Sequence, residues 1–208
     1  MSKVRILCFG DSNVWGYIPS TDHERFSEKE RFPKILQKLL GSQFEVIEDG
    51  LNSRTVTSED TRPGKEGRKG SLHILPCLKS HAPLNLVILM LGTTELKERF
   101  KNSPEHIGNL LERYFVKAVL NSEISPKLLI VSPPIIDERT EYAKERYVGG
   151  TEKSKKLGDV YSEIARKNSC HFIDAGDMEV GSDGVHMTKE SHLRLAKMLC
   201  EKIKSLDL

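Results

Sequence analysis

The sequence predicts an α/β fold: a flavodoxin-like three-layer sandwich, with a five-stranded parallel sheet in order 2-1-3-4-5 and helices on both faces. Three observations predict it. Five short apolar, largely β-branched runs punctuate the chain, and helix-period segments lie between them. The 208 residues, 38% hydrophobic, suffice for one well-buried core but not for two ordinary domains. Strands alternating with helices favour a parallel sheet covered on both sides, and five strands in this length fit the doubly wound order. Residues 1–208 are therefore read as a single domain.

The strands are expected at Val4 to Phe9, Phe44 to Glu48, Leu86 to Leu91, Lys127 to Val131 and His171 to Asp174. Between the first two, Phe32, Ile35, Leu36 and Leu39 recur at helical spacing ahead of Gly41, a residue suited to ending a helix. Glu59 to Gly70, rich in Gly, Arg and Lys, reads as a surface loop. Ser71 to Ser80 reads as a short helix broken or restarted at Pro76. Ser103-Pro104 pairs an N-cap with Pro at the first helical position, leading into Ile107, Leu111, Tyr114 and Ala118. Asp137 to Gly150 is read as a second loop. Leu157, Tyr161, Ile164 and Ala165 mark another helix. Thr188 caps the last, whose stripe is Leu193, Ala196, Cys200 and Ile203.

Composition narrows the partners. The 32 Lys and Arg against 30 Asp and Glu leave a net charge of +2, with signs interspersed along the chain. That pattern argues against a nucleic-acid or membrane surface as the main partner and leaves a small molecule. No run approaches the length of a membrane-spanning helix. Met1-Ser2-Lys3 enters the first strand with no basic leader or cleavage site, which predicts a cytoplasmic protein. Cys8, Cys77, Cys170 and Cys200 have no close metal-ligand spacing and read as buried small hydrophobes. His73, His81 and His106 are scattered, so no metal or other cofactor is expected. His192 reads as helix surface.

The chemistry concentrates where strands end. In a 2-1-3-4-5 sheet the loops leaving strands 1, 2 and 3 are neighbours. They carry Gly10-Asp11-Ser12-Asn13, Asp49-Gly50-Leu51-Asn52-Ser53-Arg54-Thr55 and Gly92-Thr93-Thr94-Glu95. The loop after strand 5 brings Asp183-Gly184-Val185-His186 to the same edge. A serine alcohol is a poor nucleophile at neutral pH; it needs a histidine to take its proton and a carboxylate to orient that histidine. Three-residue spacing in a turn lets Asp183 accept from one imidazole nitrogen while the other faces Ser12. Ser12, Asp183 and His186 thus point to a serine hydrolase. Backbone N–H groups of Ser12 and Ser53 are placed to meet the oxyanion. Asp11 is read as stabilising its own turn, and Arg54 either as steadying the oxyanion loop or meeting a substrate carboxylate, or as an ion-pair partner of Asp11, Asp49 or Glu95. Trp15 and Tyr17 are read either as pocket walls or as plain packing.

In this order the motifs resemble the SGNH (GDSL) hydrolases from end to end. Trp15-Gly16, Arg31-Phe32-Pro33, the Gly50 to Thr55 loop, Met90-Leu91-Gly92-Thr93, Glu152-Lys153-Ser154 and Asp174-Ala175-Gly176 resemble the bacterial arylesterase and acyltransferase branch. The resemblance implies an esterase for short acyl esters that works through an acyl-enzyme and also passes the acyl group to alcohols. It assigns nucleophile, acid and base to Ser12, Asp183 and His186, and the oxyanion hole to Ser12, Ser53 and position 94. It further implies closed homo-oligomers, with 137–150 as the place for an interface. Two positions depart from the pattern. Ser53 stands where many relatives have Gly, and Thr94 where the family has Asn, followed by Glu95 in place of Asp. The Thr94 departure gives a second reading, a catalytically reduced scaffold that acts as a binding or regulatory protein. A third, a nucleotide or phosphate binder with Ser12 and Asn13 in an anion loop, lacks a glycine-rich cradle.

Overall fold

A computed structural model describes residues 3–208. The leaderless start read at Met1 and Ser2 lies outside the described residues. The strands are β1 (Val4–Gly10), β2 (Phe44–Gly50), β3 (Leu86–Met90), β4 (Lys127–Val131) and β5 (His171–Ile173), paired in parallel in the order 2-1-3-4-5. Helices α1 (Ser12–Trp15), α2 (Phe32–Leu40), α3 (Ile74–Ser80), α4 (Pro104–Leu111), α5 (Lys117–Leu120), α6 (Glu141–Arg146), α7 (Gly150–Lys167) and α8 (Lys189–Lys204) surround the sheet.

Alternation along the strands divides the core in two. Leu7, Phe9, Val87, Leu89, Leu128 and Ile130 pack with Leu78 of α3, Ile107 of α4 and Tyr161 of α7. Ile6, Cys8, Leu86, Ile88, Leu129 and Val131 pack on the other side with Leu36 of α2 and with Leu195 and Leu199 of α8. Because both faces are covered, every residue of β3 is buried, which explains why it reads as an unbroken apolar run. Cutting a wholly buried side chain such as Leu36 to Ala costs about 2–5 kcal/mol, transfer and cavity terms together.

Several sequence expectations are corrected. Pro76 does not break its helix: it is the third residue of α3, where the backbone N–H has no intrahelical partner to lose. Residues 137–150 are not all loop, since Thr140 caps α6 and Gly150 opens α7. Leu39, Tyr114 and Leu193 are exposed, although each was placed on a core stripe. A π-helical stretch, Glu112–Val116, separates α4 from α5; its wider turn moves the stripe one residue on, to Phe115, Val116 and Val119. On α8 the buried stripe is His192, Leu195, Ala196, Leu199 and Ile203, so His192 is core rather than surface. Of the cysteines, Cys8, Cys77 and Cys200 are buried and Cys170 is half-buried.

Candidate active site

Phe9 and Gly10 end β1 beside Asp49 and Gly50 of β2, and Met90 of β3 is paired with Gly10 on the other side. The chain turns at once into α1. Asp11 caps it, its Oδ1 accepting from the Asn13 N–H at 3.1 Å, and Gly16, at φ +87°, ends it one turn later. Gly50 permits this close turn: a Cβ there would lie 2.1 Å from the Trp15 nitrogen. Ser12 is thereby held at the C-terminal edge of the central strand.

Asn13 ties that turn to the last loop of the chain. Its Oδ1 accepts from the Met187 N–H at 2.9 Å and its Nδ2 donates to the Val185 carbonyl at 3.5 Å, bridging more than 170 residues. His186, fixed between those two residues, has its Nε2 2.9 Å from Ser12 Oγ and its Nδ1 2.6 Å from Asp183 Oδ2. Asp183 is anchored in turn: its Oδ1 accepts from the N–H groups of Val185 and His186, both at 2.9 Å. Burial disfavours the Asp183 carboxylate. The His186 ring and the two backbone donors outweigh that penalty and hold its pKa below the ordinary aspartate value. All three side chains are buried, and the stacked Tyr17 ring, centroid 4.4 Å from that of His186, covers the imidazole. Tyr17 is thus a wall of the site; Trp15 lies behind it, with the Arg25 guanidinium over its ring.

The β2 and β3 loops complete the rim. Arg54 donates to the carbonyls of Gly10 and Asp49 and pairs with the Asp49 carboxylate at 2.6 Å, so Asp49 is the partner among the three expected. Ser53 has φ +63°, a left-handed conformation that glycine adopts freely. Among the described residues, the backbone N–H groups of Ser12 and Ser53 have no protein partner. Glu95, fully buried, accepts from the N–H groups of Thr57 and Ser58 and from Asn102. It thereby locks the two loops together, and Thr94 beside it lines the same recess as Ser12 and Ser53.

That recess has a volume of about 260 Å³. Besides the expected residues it is lined by Asn52, whose Oδ1 is buried without a partner, by His23, and by Arg62, Lys65, Lys97, Tyr142, Arg146 and Tyr147. These were not legible beforehand. Arg62 and Lys65 sit in a loop whose path no periodicity encodes, and Tyr142 and Arg146 lie in a segment read as loop. Asp60, nearly inaccessible, accepts from Arg62 and Arg99 at 2.7 Å each; the Arg62 contact above all, against the cost of burial, holds its pKa at about 2. Burial, helped by the nearby Arg99 and Arg62, pushes Lys97 down to about 7.

Elsewhere, Asp49, Cys77 and His81 bring one ligand atom each within 4.8 Å of one another, a grouping no sequence spacing announced. The Asp49 carboxylate is already engaged by Arg54 and by the Cys77 thiol, so it satisfies a local network. His73 meets the Gly67 carbonyl at 2.9 Å, and the His106 N–H meets its cap Ser103.

A doubly wound parallel sheet of this order, with serine, histidine and aspartate in hydrogen-bonded series at its C-terminal edge, is the architecture of the SGNH hydrolases. The chain belongs to the GDSL-like lipase/acylhydrolase family, whose profile matches residues 8–194, and it is a carboxylic ester hydrolase. Est24, a carbohydrate acetylesterase from Sinorhizobium meliloti, is 34% identical with a TM-score of 0.90, the match covering 98% of this chain and 99% of that one. The inhibitor-bound aryl esterase of M. smegmatis is 36% identical, with a TM-score of 0.90 and the same coverage. No curated protein sequence matches the chain significantly. Among the described residues no helix is long and apolar enough to cross a membrane.

Proposed function

We propose that residues 1–208 form one hydrolase domain that cleaves short acyl esters through an acyl-enzyme on Ser12. The series of contacts from Ser12 through His186 to Asp183, at 2.9 and 2.6 Å, carries the proposal. Ser12 Oγ attacks the acyl carbonyl carbon while His186 Nε2 takes the hydroxyl proton. Asp183 holds the ring so that Nδ1 carries hydrogen, and stabilises the imidazolium as it forms. The carbonyl oxygen becomes an oxyanion and receives the N–H groups of Ser12 and Ser53, with the Thr94 hydroxyl as third donor. Collapse of this intermediate breaks the ester C–O bond, and His186 returns the proton to the departing alcohol. Water then attacks the acyl-enzyme by the same route in reverse, releasing the carboxylic acid and restoring Ser12. An alcohol entering in place of water accepts the acyl group instead, which gives an acyltransferase side activity. The recess, at about 260 Å³, suits an ester with small groups on both sides.

The test is hydrolysis of p-nitrophenyl acetate and butyrate by the wild type and by Ser12→Ala, with EDTA present and circular dichroism on both proteins. The expected result is turnover that the chelator leaves intact and Ser12→Ala abolishes. Hydrolysis surviving in a folded Ser12→Ala protein would refute the mechanism.

A further inference from the structure

Cleaving an ester explains Ser12, Asp183 and His186 but not the charge around them. Among the described residues, four cationic side chains line the recess, Arg62, Lys65, Lys97 and Arg146, and no carboxylate does. The chain as a whole carries only +2, so this is a local concentration of positive charge, in a concave site where fields are focused. Arg62 is compensated by Asp60, and Arg146 forms an exposed pair with Glu145 of the kind that contributes little. Lys65 and Lys97 form no ion pair among the described residues.

Lys97 is the more telling of the two. It is 7% exposed, its side chain donates no hydrogen bond among the described residues, and it lies 5.8 Å from the centroid of the Tyr147 ring in the wall of the recess. Its stem is buried and its ammonium opens only on the recess, where Asp60 and Asp11 act on it without forming an ion pair, so an anion entering the recess is the direct way to compensate it. Its lowered pKa, caused first by burial and then by Arg99 and Arg62, and only partly offset by Asp60 and Asp11, is the same conflict expressed as proton affinity. A neutral ester would leave that conflict standing. A negatively charged one would relieve it and would raise the proton affinity of Lys97.

We propose that the ester bound here is an anion: an acyl ester bearing a carboxylate or a group of similar charge, which faces Lys65 and Lys97 while its acyl carbon meets Ser12. The reaction rests on the esterase reading above; the charge preference rests on the cations and is measurable without turnover.

Two pairs of near-isosteric esters test it on the full chain. 4-Acetoxyacetophenone against 4-acetoxybenzoate places the charge on the alcohol side, and phenyl butyrate against phenyl hemisuccinate places it on the acyl side. Calorimetry on Ser12→Ala measures binding, and kcat/KM on the wild type, Lys65→Gln and Lys97→Met measures selection. In at least one pair the anionic ester is expected to bind about tenfold tighter or more, the pair responding identifying the side that carries the charge. Lys65→Gln is expected to lower the ratio of anionic to neutral kcat/KM about threefold, the scale of one partly screened ion pair. Lys97→Met lowers it further, and added salt erodes it. Lys65, half-buried in a loop, keeps the test open if Lys97→Met fails to fold. Equal binding of anionic and neutral esters overturns the proposal, as does a preference that survives both substitutions. Absence of wild-type hydrolysis would remove the esterase reading, and the binding data would still decide this one.

Discussion

His192 gives the fold a specific sensitivity to acid. The ring is fully buried on α8, edge-on to Phe26 and stacked with Phe32. Its Nδ1 accepts from the Phe32 N–H at 3.3 Å, and its Nε2 is buried without a partner among the described residues. Burial, reinforced by the charge of His186, pushes its pKa from 6.5 to about 3. The folded protein therefore keeps the ring neutral where the unfolded chain protonates it, and stability present above pH 6.5 is lost as pH falls toward 3. With these two values, lowering pH from 7 to 5 costs about 2 kcal/mol through this residue alone. The comparison is His192→Asn, whose amide oxygen can accept from the same N–H and does not titrate. Urea unfolding at pH 7 and pH 5 is expected to show the wild type losing about 2 kcal/mol more than the variant across that interval, although the variant starts less stable because its smaller side chain leaves a cavity. Equal losses in the two proteins would refute the reasoning.

Three further substitutions probe the site. Asn13→Ala unclamps the first and last loops and leaves the Met187 N–H without its acceptor, so we expect a loss of about 1–3 kcal/mol in urea unfolding and a fall in kcat larger than the rise in KM; an unchanged kcat would show that the clamp does not position His186. Asp183→Asn keeps the shape but no longer selects the ring tautomer, and a roughly ten-thousandfold fall in kcat is expected with the fold intact by circular dichroism. Thr94→Asn supplies a longer donor and is expected to raise turnover by up to about a hundredfold, the scale of one oxyanion donor. No gain, with the fold preserved, would refute the idea that the shorter threonine donor limits turnover.

Much of this was legible in the chain itself. Parallel strands buried on both faces must be apolar runs, so β1, β3 and β4 announced themselves, and alternation with helical segments left few topologies. Once the order 2-1-3-4-5 was in hand, the loops carrying Ser12, Ser53 and Thr94 had to be neighbours. Asp183 and His186 were legible because their contact is local, made across one turn. Helix signals set by local chemistry also held: Ser103 and Thr188 open their helices and Gly41 closes its own, each through a contact a few residues away.

What failed was whatever depends on partners distant in sequence. His192 looks like a surface residue until Phe26 and Phe32 close over it. The stripe beyond Leu111 shifts because a π turn forms there, and nothing in the spacing marks where. Lys97, Arg62 and Lys65 are ordinary surface cations by composition; only the path of the 59–70 loop and the burial of Lys97 against Tyr147 bring them around Ser12. Short-range hydrogen bonding and hydrophobic period are written along the chain, and they determined the fold and pointed to the residues proposed to react. Burial, and the charge environment it creates, exist only once distant segments pack, so the tertiary structure alone decided the walls of the site and the anionic ester proposed to fit them.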